Sequence, residues 1–282
     1  MLTVDSPIAM AEWSRRTRSQ GNSIAFVPTM GYLHEGHLSL MRAARERGDR
    51  VVVSIFVNPL QFGAGEDLET YPRDPAGDAE KCRSVGCDVL FLPSKANMYP
   101  KGFQTTVVAG SLAGPLCGAS RPGHFDGVVT VVLKLFNVVK PHVAVFGRKD
   151  FQQFAVLTRM VRDLDLDVEM VGMPIVREAD GLALSSRNAY LSDAERGQAL
   201  ALSRALQAAG ADFDAGVRSA ARLRDAIRTR IQQQPLARVD YVDVLDAEEL
   251  DAPSDPISRP VVAAVAVYFG RTRLIDNVLL KP

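Results

Sequence analysis

The chain is poor in cysteine, histidine and tryptophan, with three, four and one of them in 282 residues. Cys82, Cys87 and Cys117 form an odd set with no Cys-x-x-Cys pair. That argues against a disulfide framework and suits small apolar residues in a reducing compartment. None has a histidine beside it in a nucleophile motif, so nothing points to a cysteine enzyme. Charge of one sign is missing as well. Lys plus Arg and Asp plus Glu number 33 each, which leaves no basic excess to neutralise an extended nucleic acid. Long hydrophobic runs are absent: 51–57 and 261–267 are strand-sized, and the opening MLTVDSPIAM has no basic segment leading into an apolar core. Neither a membrane span nor a secretion signal is indicated, and a cytoplasmic location is expected. There is no internal repeat and no low-complexity tract. What remains, 47% hydrophobic and 23% charged residues, is the composition of a soluble globular protein with length for two domains.

Apolar runs alternate with helical patterns through the first part of the chain. Strands are predicted at 24–28, 51–57, 88–92, 143–146 and 168–171, with helices beginning near Gly36, Asp78, Gly127 and Asp150. Such alternation implies parallel strands covered on both faces, so the expected fold is α/β, a doubly wound parallel, Rossmann-like sheet. After Met173 the pattern changes. Ser192-Asp193-Ala194-Glu195 opens an Ala/Leu-rich helix, a second helix runs over 217–234, and short strands follow at 239–244 and 261–269. Two domains are therefore expected: residues 1–173 binding nucleotide and substrate, and a smaller α+β lid over 174–282.

The run Pro28-Thr29-Met30-Gly31-Tyr32-Leu33-His34-Glu35-Gly36-His37 follows the first apolar strand and leads into a helix. Unpaired N–H groups and the positive dipole end at a helix start suit a phosphate, and Gly31 and Gly36 let a ligand come close. The two imidazoles can donate to phosphate oxygens. A His-x-x-His pair also suits a metal, but zinc wants a third or fourth ligand, and His124 and His142 stand far off in sequence. Ordinary loop polarity is the third reading. Asn58, Gln61 and Lys149, like His34, fall just after predicted strands, on the edge where α/β sheets bind ligands. Asp150 with Gln153 reads as a capping box, with Lys149 before it able to face phosphates. Ser185-Ser186-Arg187-Asn188 taken alone is a polar turn. Gln61 carries a neutral amide able to read a hydroxyl and a carboxylate, or is simply loop polarity.

The strand, Thr-x-Gly-x-x-His-x-Gly-His and helix arrangement resembles the nucleotidyltransferase superfamily that includes the class I aminoacyl-tRNA synthetases. Within it the wider sequence is similar to the pantothenate synthetases, through PTMGYLHEGH, VSIFVNPLQF, YPRD, SRPGHFDGV, FGRKDFQQ, READGLALSSRNAYLS and RLIDN. The resemblance implies ATP-dependent joining of pantoate and β-alanine through a pantoyl adenylate, with Mg2+ and a homodimer. It implies a nucleotide site of Met30, Gly31, Tyr32, Leu33, His34, Glu35, Gly36, His37, Gly147, Arg148, Lys149, Asp150, Val176, Leu184, Ser185, Ser186 and Arg187. By the same resemblance His34, His37 and Lys149 are catalytic, and Gln61, Gln153 and Asn58 face pantoate. Arg121 and His124 help place β-alanine, and Asp78 is the acidic position for the metal. Arg148 departs from the family pattern, which has Glu or a neutral residue there. Two other classes share the histidines: a nucleotidyltransferase acting on a phosphate acceptor, which would want cations in place of Gln61 and Gln153, and a non-catalytic nucleotide-binding module. An RNA-charging enzyme is not expected, because a C-terminal part of roughly one hundred residues with balanced charge offers little room for an anticodon domain.

Overall fold

Val-, Ile- and Phe-rich runs build a six-stranded sheet in the computed structural model, which describes residues 1–282. Its strands are β1 (Leu2–Val4), β2 (Ile24–Thr29), β3 (Arg50–Ile55), β4 (Val89–Phe91), β5 (Val143–Gly147) and β6 (Glu169–Met173). The spatial order is β1-β4-β3-β2-β5-β6, and every pairing is parallel. The inner strands are sealed on both faces: Phe26 and Val27, Val52 and Val53, and Ala144 and Val145 have no exposed surface. That explains why they read as continuous apolar runs. From β2 the chain winds outward through β3 and β4, then crosses back to β5 and β6. The order therefore reverses between β2 and β5, and the loops leaving their carboxyl ends flank the switch point where such sheets bind ligands.

The connecting helices include Glu35–Arg45, Pro75–Ser84, His124–Val139 and Phe151–Asp163. Leu40, Met41 and Ala44 pack with Cys82, Cys87 and Val53 in one apolar cluster. Those two cysteines are core residues, and all three thiols are free. The helix expected near Asp78 starts earlier, at Pro75. Asp74 is its cap, accepting from the Gly77 N–H at 3.0 Å, so Asp78 lies inside the helix.

By its internal contacts the chain divides into two units, Met1–Gly110 with Arg121–Arg148 and Gln153–Pro174, and Ser111–Ser120 with Lys149–Gln152 and Ile175–Pro282. The single boundary expected at 173/174 thus leaves out two short inner segments that pack with the second unit. That unit holds an antiparallel sheet ordered β7 (Ala237–Asp246), β8 (Val261–Phe269) and β9 (Thr272–Leu280). Helices Ala201–Asp214 and Ala220–Gln232 pack against β9 and β7. Leu202, Leu206, Phe213, Ile227, Val242 and Val265 form the core. The Ser192–Glu195 capping box is formed as the sequence indicates, but the Ala/Leu-rich helix is divided at Leu200. No helix is long and apolar enough to cross a membrane.

Candidate active site

The loop after β2 is bent by two residues in the left-handed region, Gly31 at φ +86° and Tyr32 at φ +51°. A Cβ on Gly31 would lie 2.9 Å from Ile55 Cγ2 and 3.1 Å from Asp78 Oδ2, so only glycine fits. Asp78 holds this turn from below. Its Oδ2 accepts the Tyr32 N–H at 2.8 Å and its Oδ1 accepts the Leu33 N–H at 2.7 Å. At 1% exposure it is not the solvated charge usual at a helix start, and it clamps the loop. No cluster of three or more potential metal ligands occurs in the chain.

His34 caps the helix Glu35–Arg45, and the two histidines brace each other. The Gly36 N–H donates to His34 Nδ1 at 3.2 Å, and the His34 N–H donates to His37 Nδ1 at 3.3 Å. Their rings lie 4.1 Å apart, tilted by 42°. Because each Nδ1 accepts, each neutral ring carries its proton on Nε2, as a donor. The His37 N–H goes to the His34 carbonyl at 2.8 Å. Part of the backbone donor set expected to be unpaired here is therefore already used. Glu35 turns away to an exposed ion pair with Arg42, whose hydrogen bond holds the Glu35 carboxyl below its ordinary range.

After β3, Gln61 is buried. Its Nε2 donates only to the Met30 sulfur, at 3.4 Å, and its Oε1 accepts from Asn58 Nδ2 at 3.1 Å. Asn58 was expected at the substrate. It is instead fully buried with its whole capacity taken: Oδ1 accepts from the Tyr99 O–H at 2.8 Å and the Leu60 N–H at 3.3 Å, and Nδ2 also donates to the Gly127 carbonyl at 3.0 Å. It holds Gln61. Arg121 and His124, expected to place β-alanine, likewise serve the Gln61 backbone. The Gln61 carbonyl accepts from Arg121 Nη2 at 3.2 Å and from His124 Nδ1 at 2.8 Å. Arg121 is otherwise engaged by Glu66 through two hydrogen bonds, which lower the Glu66 carboxyl below its ordinary range. Gln153 is half-buried in the first turn of the helix after β5, beside the buried Gln152. Arg148 stacks over the Phe154 ring, 5.9 Å from its centroid, where Gly172 leaves room for the guanidinium. Gly147 ends β5.

In the second unit, Lys149 and Ser185 line one recess with Leu182, Ala183, Leu274 and Asp276. The Lys149 ammonium lies 3.7 Å from the exposed Asp150 carboxylate, and its carbonyl accepts from Asn277 Nδ2 at 2.9 Å. A hairpin-like turn places the serines. The Leu184 N–H donates to the Val176 carbonyl at 2.9 Å. Arg177 anchors the turn, bidentate to the buried Asp276 at 2.7 and 3.0 Å. Ser185 Oγ accepts from the Arg187 N–H at 3.2 Å, starting the turn Ser186–Tyr190. Asn188 ties that turn to Glu178 at 2.6 Å.

Comparison with known proteins settles what scaffold this is. The profile of the pantoate-beta-alanine ligase family matches residues 3–279. The pantothenate synthetase of Heliobacterium modesticaldum is 56% identical over 281 residues, 100% of both chains. That of Geobacter sulfurreducens is 55% identical over 280 residues, 99% of both. The chain belongs to the pantoate-beta-alanine ligase family. The pantothenate synthetase structure from Thermus thermophilus matches at a TM-score of 0.94 and 46% identity, covering 100% of each chain. The pantoate-beta-alanine ligase of Francisella tularensis, complexed with beta-gamma ATP and beta-alanine, matches at 0.81 and 34%, covering 99% of this chain and 97% of that one.

As a pantoate-beta-alanine ligase this chain joins pantoate to β-alanine. Several residues that shape its site were not singled out from the sequence. Tyr99 and Glu66 sit in loops with no distinctive pattern. Arg177, Asp276 and Asn277 lie within READGLALSSRNAYLS and RLIDN, so those motifs carried the signal without showing that Asp276 pairs with Arg177 or that Asn277 reaches Lys149.

Proposed function

We propose that the ligase activates pantoate with ATP and transfers the pantoyl group to β-alanine. A carboxylate oxygen is a poor leaving group, so amide formation needs prior activation. The pantoate carboxylate attacks the α-phosphorus and the bond to pyrophosphate breaks. The β-alanine amine then attacks the carbonyl carbon of the adenylate, AMP leaves with the bonding pair, and the nitrogen releases a proton. Both steps need alignment and charge stabilisation more than a covalent protein nucleophile.

The observation that carries this reading is the reciprocal His34–His37 cap, which aims both Nδ1 atoms inward and assigns the donor proton of each ring to Nε2. His37, inside the first helical turn, is assigned to the departing pyrophosphate and His34 to the phosphates beside it. Gln61 and Gln153 hold pantoate. Lys149, Ser185, Ser186 and Arg187 meet the β- and γ-phosphates, with Met30, Gly31, Tyr32, Leu33, Gly147, Asp150, Val176 and Leu184 around the nucleotide. Magnesium accompanies ATP in this chemistry, and Asp78, the acidic position the family resemblance implies for it, also holds the loop with both its oxygens. A cytoplasmic location is supported by the free thiols. A homodimer is the assembly the family resemblance implies, and sedimentation tests it.

The deciding experiment follows AMP and pyrophosphate release from magnesium ATP with pantoate alone, β-alanine alone, both, and both with His37→Ala. Sustained turnover only with both substrates, collapsing in the variant, is expected. ATP binding without release in every combination overturns the reading, and transfer of the whole nucleotide to a phosphate acceptor would replace it.

A further inference from the structure

We propose that Tyr99 is a positioning residue of the ligase, which acts through Asn58 to hold firm the face of the Gln61 amide that meets pantoate. This rests on the assignment of Gln61 to pantoate.

An amide side chain can be turned end for end unless its partners forbid it. Asn58 has four partners, and two are backbone groups whose roles cannot change: the Leu60 N–H only donates and the Gly127 carbonyl only accepts. The third, the Tyr99 O–H, supplies the shorter of the two bonds on Oδ1, 2.8 Å against 3.3 Å. With Oδ1 held, Asn58 must present Nδ2 to Gln61. Gln61 must then answer with Oε1, turning its NH2 the other way, where a thioether sulfur takes one hydrogen weakly. An amide presented in this way recognises an oxygen acceptor, such as the hydroxyl or carboxylate of a small hydroxy acid.

The Tyr99 ring is held in place. Phe103 meets its ring edge-on at 4.9 Å, Phe56 lies at 6.1 Å, and the Lys134 ammonium sits 5.8 Å from the ring centroid. Burial pushes the phenol above its ordinary range, so it stays protonated, and it donates because the Leu60 N–H and the Gly127 carbonyl fix Asn58 Oδ1 as the acceptor. Removing it leaves Asn58 Oδ1 with the longer bond only, so the amide keeps its orientation but is held less tightly against Gln61.

The test uses steady-state kinetics of the full-length enzyme with Tyr99→Phe, Gln61→Ala and the double variant. Phenylalanine keeps the ring stack, so the thermal midpoint, kcat and the KM for ATP are expected to hold. The KM for pantoate should rise about tenfold, the loss of one hydrogen bond. Gln61→Ala should raise it at least as far, and adding Tyr99→Phe to Gln61→Ala should change nothing more, because the phenol acts only through that amide. An unchanged pantoate KM in Tyr99→Phe beside a raised one in Gln61→Ala overturns the relay and leaves the Gln61 assignment standing. An unchanged pantoate KM in Gln61→Ala overturns the assignment itself. Effects that add in the double variant place Tyr99 outside this route and overturn the proposal.

Discussion

Replacing Asp78 by asparagine tests the loop clamp directly. The carboxylate accepts two consecutive backbone N–H groups at 2.8 and 2.7 Å while 1% exposed. Asparagine keeps one acceptor and sets an NH2 group against the other N–H, leaving a buried donor unpaired. A hydrogen bond to a charged group contributes about 1.5–3 kcal/mol, and a stranded buried donor costs about 1–3 kcal/mol. Taking these as one loss, the variant should forfeit about 2–3 kcal/mol. If the loop stays in place, urea unfolding reads that loss as stability. If the loop lets go, ATP must re-form it, and kcat/KM for ATP falls about 30- to 150-fold. Extra magnesium should restore nothing, because a clamp has no metal to recapture. The reasoning is refuted if both stability and kcat/KM for ATP survive unchanged, or if activity returns as magnesium is raised.

Gly127→Ala would put a Cβ 2.3 Å from the Leu60 carbonyl oxygen and 2.6 Å from the Gln61 N; overpacking of this kind costs about 1–3 kcal/mol in urea unfolding, and the KM for pantoate should rise with it. Glu35→Gln should leave ATP kinetics within about twofold, since exposed ion pairs of this kind contribute little; a large loss would mean that Glu35 meets the nucleotide. His142 accepts the Ile24 N–H on Nδ1 at 2.9 Å, and burial, followed by Arg18, lowers its pKa from 6.5 against the opposing pull of Asp167 and Asp49. The unfolded chain thus takes up a proton at higher pH than the folded one. Stability is full above 6.5 and falls as the pH drops through that value toward the lower folded pKa. His142→Gln accepts the same N–H without titrating, so parallel stability curves for the two proteins between neutral and mildly acid pH would sink this account.

Much of the fold was legible because its signals are local. The runs around Phe26, Val52 and Ala144 read as buried parallel strands, and each is a central strand. Ser192 and Glu195 announced their capping box. β1 escaped because three residues are too short to show a period, and its place comes from pairing with β4, 87 residues away. The helix Pro7–Ser19, capped by Ser6, was not read from the sequence either, and neither was β9, the strand that contains RLIDN. At the site, Gly31 lies in the loop after β2, His34 and His37 at the start of the helix that follows it, and Gln61 in the turn after β3. Asn58, Arg121 and Asp78 carry the residue types of a binding site and, in the fold, hold other residues of the site loops.

By itself the sequence determined the alternation of strands and helices, the carboxyl-edge loops that carry the chemistry, and the ligase family, since all of these are written in residue order and spacing. Only the tertiary structure decided which polar groups remain able to meet a ligand. That depends on partners far along the chain: Asp78 on the Tyr32 N–H 46 residues away, Asn58 on Gly127 at 69, and the Lys149 carbonyl on Asn277 at 128. Once buried, a hydrogen-bonding group must be satisfied by whichever neighbour the fold supplies, and the sequence does not reveal which neighbour that is.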